Sequence, residues 1–120
     1  MGAKFCLEVT PAAQGYIAEV SSKYHYDLPI FIRSELAECT GHRLEARFRE
    51  KRPGPGESSI VVGGQLYVIG DALLERTGGL RIVYVDDDEI IYKVKGLLVL
   101  AEKIWDKMPC FCQLPFELTP

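Results

Sequence analysis

Apolar and polar positions change rhythm several times along this chain, and each change marks an element. The opening "MGAKFCLEV" is strand-like, and Cys6 alternates there with apolar neighbours, so it is expected to be buried. Thr10 before Pro11 is a helix start: the hydroxyl can cap an orphan amide, and proline fits the first helical position without losing a bond. Ala13, Ile17, Val20 and Tyr24 then recur at helical spacing, predicting a helix from about Pro11 to Lys23 with one apolar stripe against something flat.

"LPIFIRS" reads as a strand rich in β-branched residues. "RLEARFR" alternates strictly, with Leu44, Ala46 and Phe48 on one face and four charges on the other. The whole stretch "SELAECTGHRLEARF" is a strand that breaks and resumes, with Cys39 at the break. "PGPG" at 53–56 forces a turn, and Gly63-Gly64 between "SIVV" and "QLYVI" is a two-residue hairpin signal. Asp71 is placed to cap a short helical turn, "ALLERT", that Gly78 ends. "LRIVYV" and "EIIYKVK", joined by aspartates, predict a further hairpin. Beyond Gly96, Leu97, Leu100, Ala101, Ile104 and Trp105 form a second amphipathic stripe, predicting a terminal helix to about Lys107.

These elements define an α+β, β-rich fold: a mostly antiparallel curved sheet or sandwich with one packed N-terminal helix and a C-terminal helix. One domain is expected over residues 1–108, followed by a tail, 109–120, that carries Cys-x-Cys. The terminal helix needs an apolar surface beyond the one the first helix covers, which self-association as a homodimer would provide.

At 120 residues the chain can bury a core without disulfide staples, and its net charge of −3 with scattered basic residues speaks against nucleic acid as a partner. Arg43, Arg47, Arg49, Lys51 and Arg52 form a local basic run, which alternation assigns to a solvated strand face. The longest apolar run, "GLLVLAEKIW", is too short for a bilayer. The first residues lack the apolar stretch and cleavage site of an export signal, so no membrane association and a cytoplasmic location are expected. In that compartment four cysteines are thiols, ligands or nucleophiles rather than bridges.

Cys39 has polar company in Glu38 and Thr40, while Cys110 and Cys112 lie one residue apart in the tail. Thiolates are soft ligands that select iron–sulfur species, zinc or copper(I), so three that converge would make a credible site; the alternative is that all are ordinary free cysteines. His42, three residues after Cys39, could share a metal shell, form a nucleophile–base pair, or simply face water. No third residue is in place to orient it, and no enzyme activity is assigned. Asp86, Asp87, Asp88 and Glu89 match a solvated hairpin tip better than a calcium loop.

"VTPAAQGYI", "ECTGHRLEARF", "VVGGQLYVIGDALLERTGGLRIVYV" and a late Cys-x-Cys together resemble the HesB-like family of A-type iron–sulfur cluster carriers, over about residues 7–86. In that family a Thr-Pro-x-Ala helix start precedes a Gly-Cys-Ser-Gly motif and a Cys-Gly-Cys tail closes the set. Cys39 matches the first cysteine, and Cys110 and Cys112 match the tail pair. Glu38 stands where glycine is usual, Thr40 replaces serine, Phe111 separates the tail cysteines, and the predicted terminal helix is an insertion. The resemblance implies a carrier that binds iron or a [2Fe–2S] cluster between subunits and hands it to apo iron–sulfur proteins or assembly factors. A different reading keeps the fold without cluster chemistry. Trp105, Phe111, Leu114 and Phe116 then form an apolar surface for a protein partner. Zinc held by Cys39, His42, Cys110 and Cys112 is a third reading.

Overall fold

The computed structural model of the chain describes residues 5–24, 27–36, 42–86, 95–102 and 116–118. Within them lie strand β1 (Leu7–Val9), helix α1 (Pro11–Tyr24), strands β2 (Ile30–Leu36), β3 (His42–Phe48), β4 (Glu57–Val62) and β5 (Gln65–Gly70), helix α2 (Asp71–Thr77), and strands β6 (Leu80–Asp86) and β7 (Lys95–Ala101).

The start of α1 follows from its sequence: the Ala13 amide donates to Thr10 Oγ1 at 3.3 Å, and the Gln14 amide to the Thr10 carbonyl at 2.9 Å. Thr10's own amide donates to the Ile82 carbonyl at 3.1 Å, tying the helix entry to β6. Ala13 and Ile17 are buried and Val20 packs on the core, but Tyr24 is 53% exposed, so the apolar stripe fades over the last turn.

Two sheets form around one core. One has the order β1-β6-β7, the other β3-β2-β5-β4. Antiparallel pairs join β2 to β3, β4 to β5 and β6 to β7, as the short connections require; β1 with β6 and β2 with β5 are parallel. Ile30, Ile32, Leu44, Phe48, Tyr67 and Ile69 from the larger sheet meet Ile82, Leu97 and Val99 from the smaller in the shared core. Burying so much branched apolar surface is the main stabilising term. The fold class is thus the expected α+β, β-rich one, arranged as two mixed sheets.

Four local expectations are corrected. The terminal helix is absent from residues 95–101, which form strand β7; Leu97 and Val99 are buried and Leu100 is 40% exposed, a period of two. The stripe's last members, Ile104 and Trp105, lie outside the described residues, and the argument for a homodimer from a second helix loses its basis. β6 therefore pairs with Lys95–Ala101, in the register Asp86↔Lys95 to Leu80↔Ala101, rather than with "EIIYKVK". Asp71 is not a cap: Gly70 holds that position without a side-chain bond, and Asp71 instead accepts from the Ser58 hydroxyl. Cys6 is exposed, because Phe5 and Val9 take the inward phase and Cys6 falls in the outward one with Glu8.

The outward charges of β3 are corrected too. Glu45 is only 7% exposed, with Oε1 accepting from Arg33 Nη2 at 3.1 Å, Arg33 Nε at 3.4 Å and Arg47 Nη2 at 3.4 Å. Arg49 stacks over Phe31 at 4.4 Å and donates to Glu57 through both terminal nitrogens, at 2.8 and 3.0 Å. Opposite charges facing each other across neighbouring strands cover Glu45, and Arg49 lies flat on Phe31, while Arg47 keeps 43% of its side chain in water as alternation expects.

Candidate functional site

Cys39, Cys110 and Cys112 lie outside the described residues, as do Trp105, Phe111 and Leu114; the backbone of His42 is described and its side chain is not. The structure does show what holds the ends of their segments. β2 and β3 pair in unbroken register from Ile30↔Phe48 to Leu36↔His42, so residues 37–41, with Cys39 in the middle, connect two partnered strands. The Arg33–Glu45 bridge ties the two strands at directly facing positions, three residues from either end of that connection. It is a cross-strand brace that sequence reasoning missed. Its signal was available: an arginine in "IFIRS" and a glutamate in "RLEAR" at matching phases of adjacent strands.

The other segment is held just beyond Cys112. Phe116 bridges to Leu97 as an antiparallel pair: the Leu97 amide donates to the Phe116 carbonyl at 2.8 Å, and the Phe116 amide to the Leu97 carbonyl at 3.0 Å. Two residues on, Leu118 is buried and its amide donates to the Tyr16 hydroxyl on α1 at 3.2 Å. Gly96 makes this docking sterically possible. Its φ is +155°, and a Cβ there would run into the Phe116 backbone, 2.6 Å from the carbonyl carbon and 3.1 Å from the nitrogen. Phe116 itself is half-buried and packs on its own core.

β3 packs against β7. The strand that leaves the Cys39 connection and the strand that docks the chain end are therefore neighbours, although they belong to different sheets. Among the described residues, no group of three or more His, Cys, Asp and Glu side chains is gathered to hold a metal ion.

Electrostatics away from these segments is dominated by the Arg49–Glu57 pair. The Arg49 guanidinium, helped by the Gly54 amide, holds the Glu57 carboxyl down at about 2. This links the "PGPG" turn to β3's end and is structural. No helix among the described residues is long and apolar enough to cross a membrane.

No family model matches the sequence, and no curated protein matches it. Solved structures do match. The structure of IscA with a [2Fe–2S] cluster aligns with a TM-score of 0.66 at 19% identity, covering 95% of this chain and 98% of that one. SufA of Escherichia coli, a protein involved in the biosynthesis of iron–sulfur clusters, aligns at 0.67 and 14% identity over 92% and 93% of the two chains. A protein from Aquifex aeolicus solved by solution NMR aligns at 0.60 and 20% over 82% and 94%. Two mixed sheets, one packed N-terminal helix and near-complete mutual coverage thus give this chain the HesB-like fold of IscA and SufA.

Proposed function

We propose that the protein is an iron–sulfur cluster carrier of the A type, with Cys39, Cys110 and Cys112 as thiolate ligands and the cluster, [2Fe–2S] or its iron, as cargo. The observation that carries this reading is the docking of Phe116 on β7, the strand packed against β3. Cys112 lies four positions before Phe116, a span that an extended chain covers in at most about 14 Å. Cys39 is three residues from each of the paired positions Leu36 and His42. The two thiol-bearing segments thus lead into strands that pack together, which supports a shared site although Cys39 and Cys110 are 71 positions apart in sequence.

The chemistry fits transfer. Thiolates suit iron and sulfide, and a recipient's own thiolates can displace them one at a time. Each displacement exchanges one iron–thiolate bond for another, with no net oxidation. The recipients are apo iron–sulfur proteins or assembly factors, and the location is the cytoplasm. A homodimer in which each subunit supplies part of the ligand set fits the same scheme, with residues 1–108 as its body and 109–120 as its ligand arm. The residue that closes the β7 contact, Phe116, is spent on its own core, which favours this reading over the one that makes it a partner anchor.

Anaerobic reconstitution with ferrous iron and sulfide tests the proposal. The expected product shows visible cluster absorption and stoichiometric iron and sulfide, both lost in Cys39→Ala and in Cys110→Ala/Cys112→Ala. A parent protein that gains no cluster absorption, or a Cys39→Ala variant that matches it, overturns the reading; zinc at one equivalent in the purified protein would replace it with the Cys39, His42, Cys110 and Cys112 site.

A further inference from the structure

β7 is an edge strand: β6 pairs with one side of it, and the chain's own end takes the other. That contact has the form of a peptide seated on a sheet edge. Phe116 makes both ladder bonds with Leu97, Glu117 is exposed, and Leu118, 4% exposed, sends its amide to the Tyr16 hydroxyl. Alternate side chains enter the protein while the main chain supplies hydrogen bonds, the pattern by which an extended segment adds to a sheet. Gly96 is shaped for a backbone rather than for one particular residue. The space a Cβ would need there is filled by main-chain atoms of Phe116, which every amino acid carries.

The seated segment leaves its groove part empty. Beside Leu118 a cavity of about 280 Å³ remains, lined by Tyr16, Val20, Tyr24 and Tyr84 together with the charged Glu19, Lys23 and Glu117. The Tyr16 and Tyr84 rings lie 5.0 Å apart and tilted by 30°, and Tyr24 is 53% exposed. Three aromatic rings next to a leucine suit a larger apolar side chain in its place, and with charges of both signs nearby the choice is made by shape. The hold on the segment is also slight. Two ladder bonds and one further hydrogen bond are opposed by the ordering of residues 116–118, so a competitor's apparent affinity is reduced only in proportion to the fraction of molecules whose edge is open.

We propose that the edge of β7 at Gly96 and Leu97 is an exchangeable strand-addition site for an extended segment of a partner protein, and that residues 116–118 occupy it in the partner's absence. The partner segment carries apolar residues at alternate positions, the first replacing Phe116 and the second, a bulky aromatic, replacing Leu118 against Tyr16 and Tyr84. On the carrier reading, a partner that takes this edge also frees one tether of the segment bearing Cys110 and Cys112. The binding step itself needs no iron, so it stands or falls apart from the cluster proposal.

Titration of the ¹⁵N-labelled, metal-free full chain with the peptide acetyl-Leu-Pro-Phe-Glu-Leu-Thr-Pro-amide, the sequence of residues 114–120, tests the site. Saturable shifts of the Gly96, Leu97 and Leu118 amides are expected. Affinity should rise at least threefold in Leu118→Ala, whose own segment is held less, and at least threefold for a peptide with tryptophan in place of the leucine after glutamate. N-methylation of the peptide's phenylalanine nitrogen, which removes the donor to the Leu97 carbonyl, should abolish binding. Gly96→Ala should abolish it too, in a chain whose Ile32 and Tyr67 amides keep their protection. No saturable shift in Leu118→Ala, or binding that survives N-methylation or Gly96→Ala, overturns the proposal. The same shifts appearing without peptide as protein concentration rises, with a dimer in sedimentation, overturn the partner and assign the edge to the end of a second copy.

Discussion

Replacing Gly96 by alanine should release the docked end of the chain while sparing the body of the fold. The added methyl would sit 2.6 Å from the Phe116 carbonyl carbon, a backbone atom that cannot swing aside as a side-chain end could. Phe116 must therefore leave, and the cost is capped by what its docking contributes. Two backbone hydrogen bonds give about 1–3 kcal/mol net. Burial of Leu118 adds about 2 kcal/mol. Fixing residues 116–118 opposes these by about 3 kcal/mol of backbone entropy, taking the low end per residue. The balance is at most about 2 kcal/mol, read as a lower urea midpoint with an unchanged slope. Hydrogen exchange should show the Leu97 and Leu118 amides losing protection while Ile32 and Val99 keep theirs. A chain ended at residue 115 should lose the same stability, and Gly96→Ala within it should add under about 1 kcal/mol, the non-additivity of two changes acting on one contact. Equal cost of Gly96→Ala with and without the end segment would refute the steric argument.

Ile17, 3% exposed, should cost about 2–4 kcal/mol when cut to alanine, measured by urea unfolding, and Ile17→Asp should abolish the cooperative transition. Glu57 is held from 4.5 down to about 2, so its pairing stabilises the fold fully above pH 4.5 and is lost as pH falls toward 2. Because both partners keep some solvent contact, Glu57→Gln should flatten the stability loss between pH 5 and 2 by about 1–2 kcal/mol rather than the full shift equivalent. Cys6 should react with a thiol reagent in the native state at a rate near that of a free thiol, measured in a Cys39→Ala/Cys110→Ala/Cys112→Ala background; a rate seen only after unfolding would contradict its exposure.

Local chemistry was legible where it decides the outcome by itself. Thr10-Pro11 starts α1 because a cap and a fixed φ act within one turn, and Gly63-Gly64 make a hairpin because only glycine takes both torsions cheaply. β7 was misread because "GLLVLAEKIW" satisfies both periods: Leu97, Leu100, Ala101 and Ile104 match a helix, while Leu97, Val99 and Ala101 match a strand. What selects the strand is pairing with β6, from a different part of the chain. Glu45 was assigned to water by alternation, which sees faces but not the arginines that cover one of them. The candidate ligands were legible as residue types only; the β3–β7 contact that makes neighbours of their tethers is tertiary and leaves no mark in spacing.

The parallel pairing of β1 with β6 has a consequence for how the chain is made. Val9 finds its register partner in Ile82, so the first strand emerges from the ribosome about seventy residues before the strand it needs. At roughly 5–20 residues per second that is a wait of several seconds, during which the half-apolar Leu7–Val9 edge has no template in its own sheet. β7 and Phe116 complete that sheet later still. The larger sheet, whose four strands all lie between residues 30 and 70, can assemble first and offer α1 a surface while synthesis continues. The smaller sheet, which needs segments from both ends of the described chain, is the one whose closure must wait for the later residues.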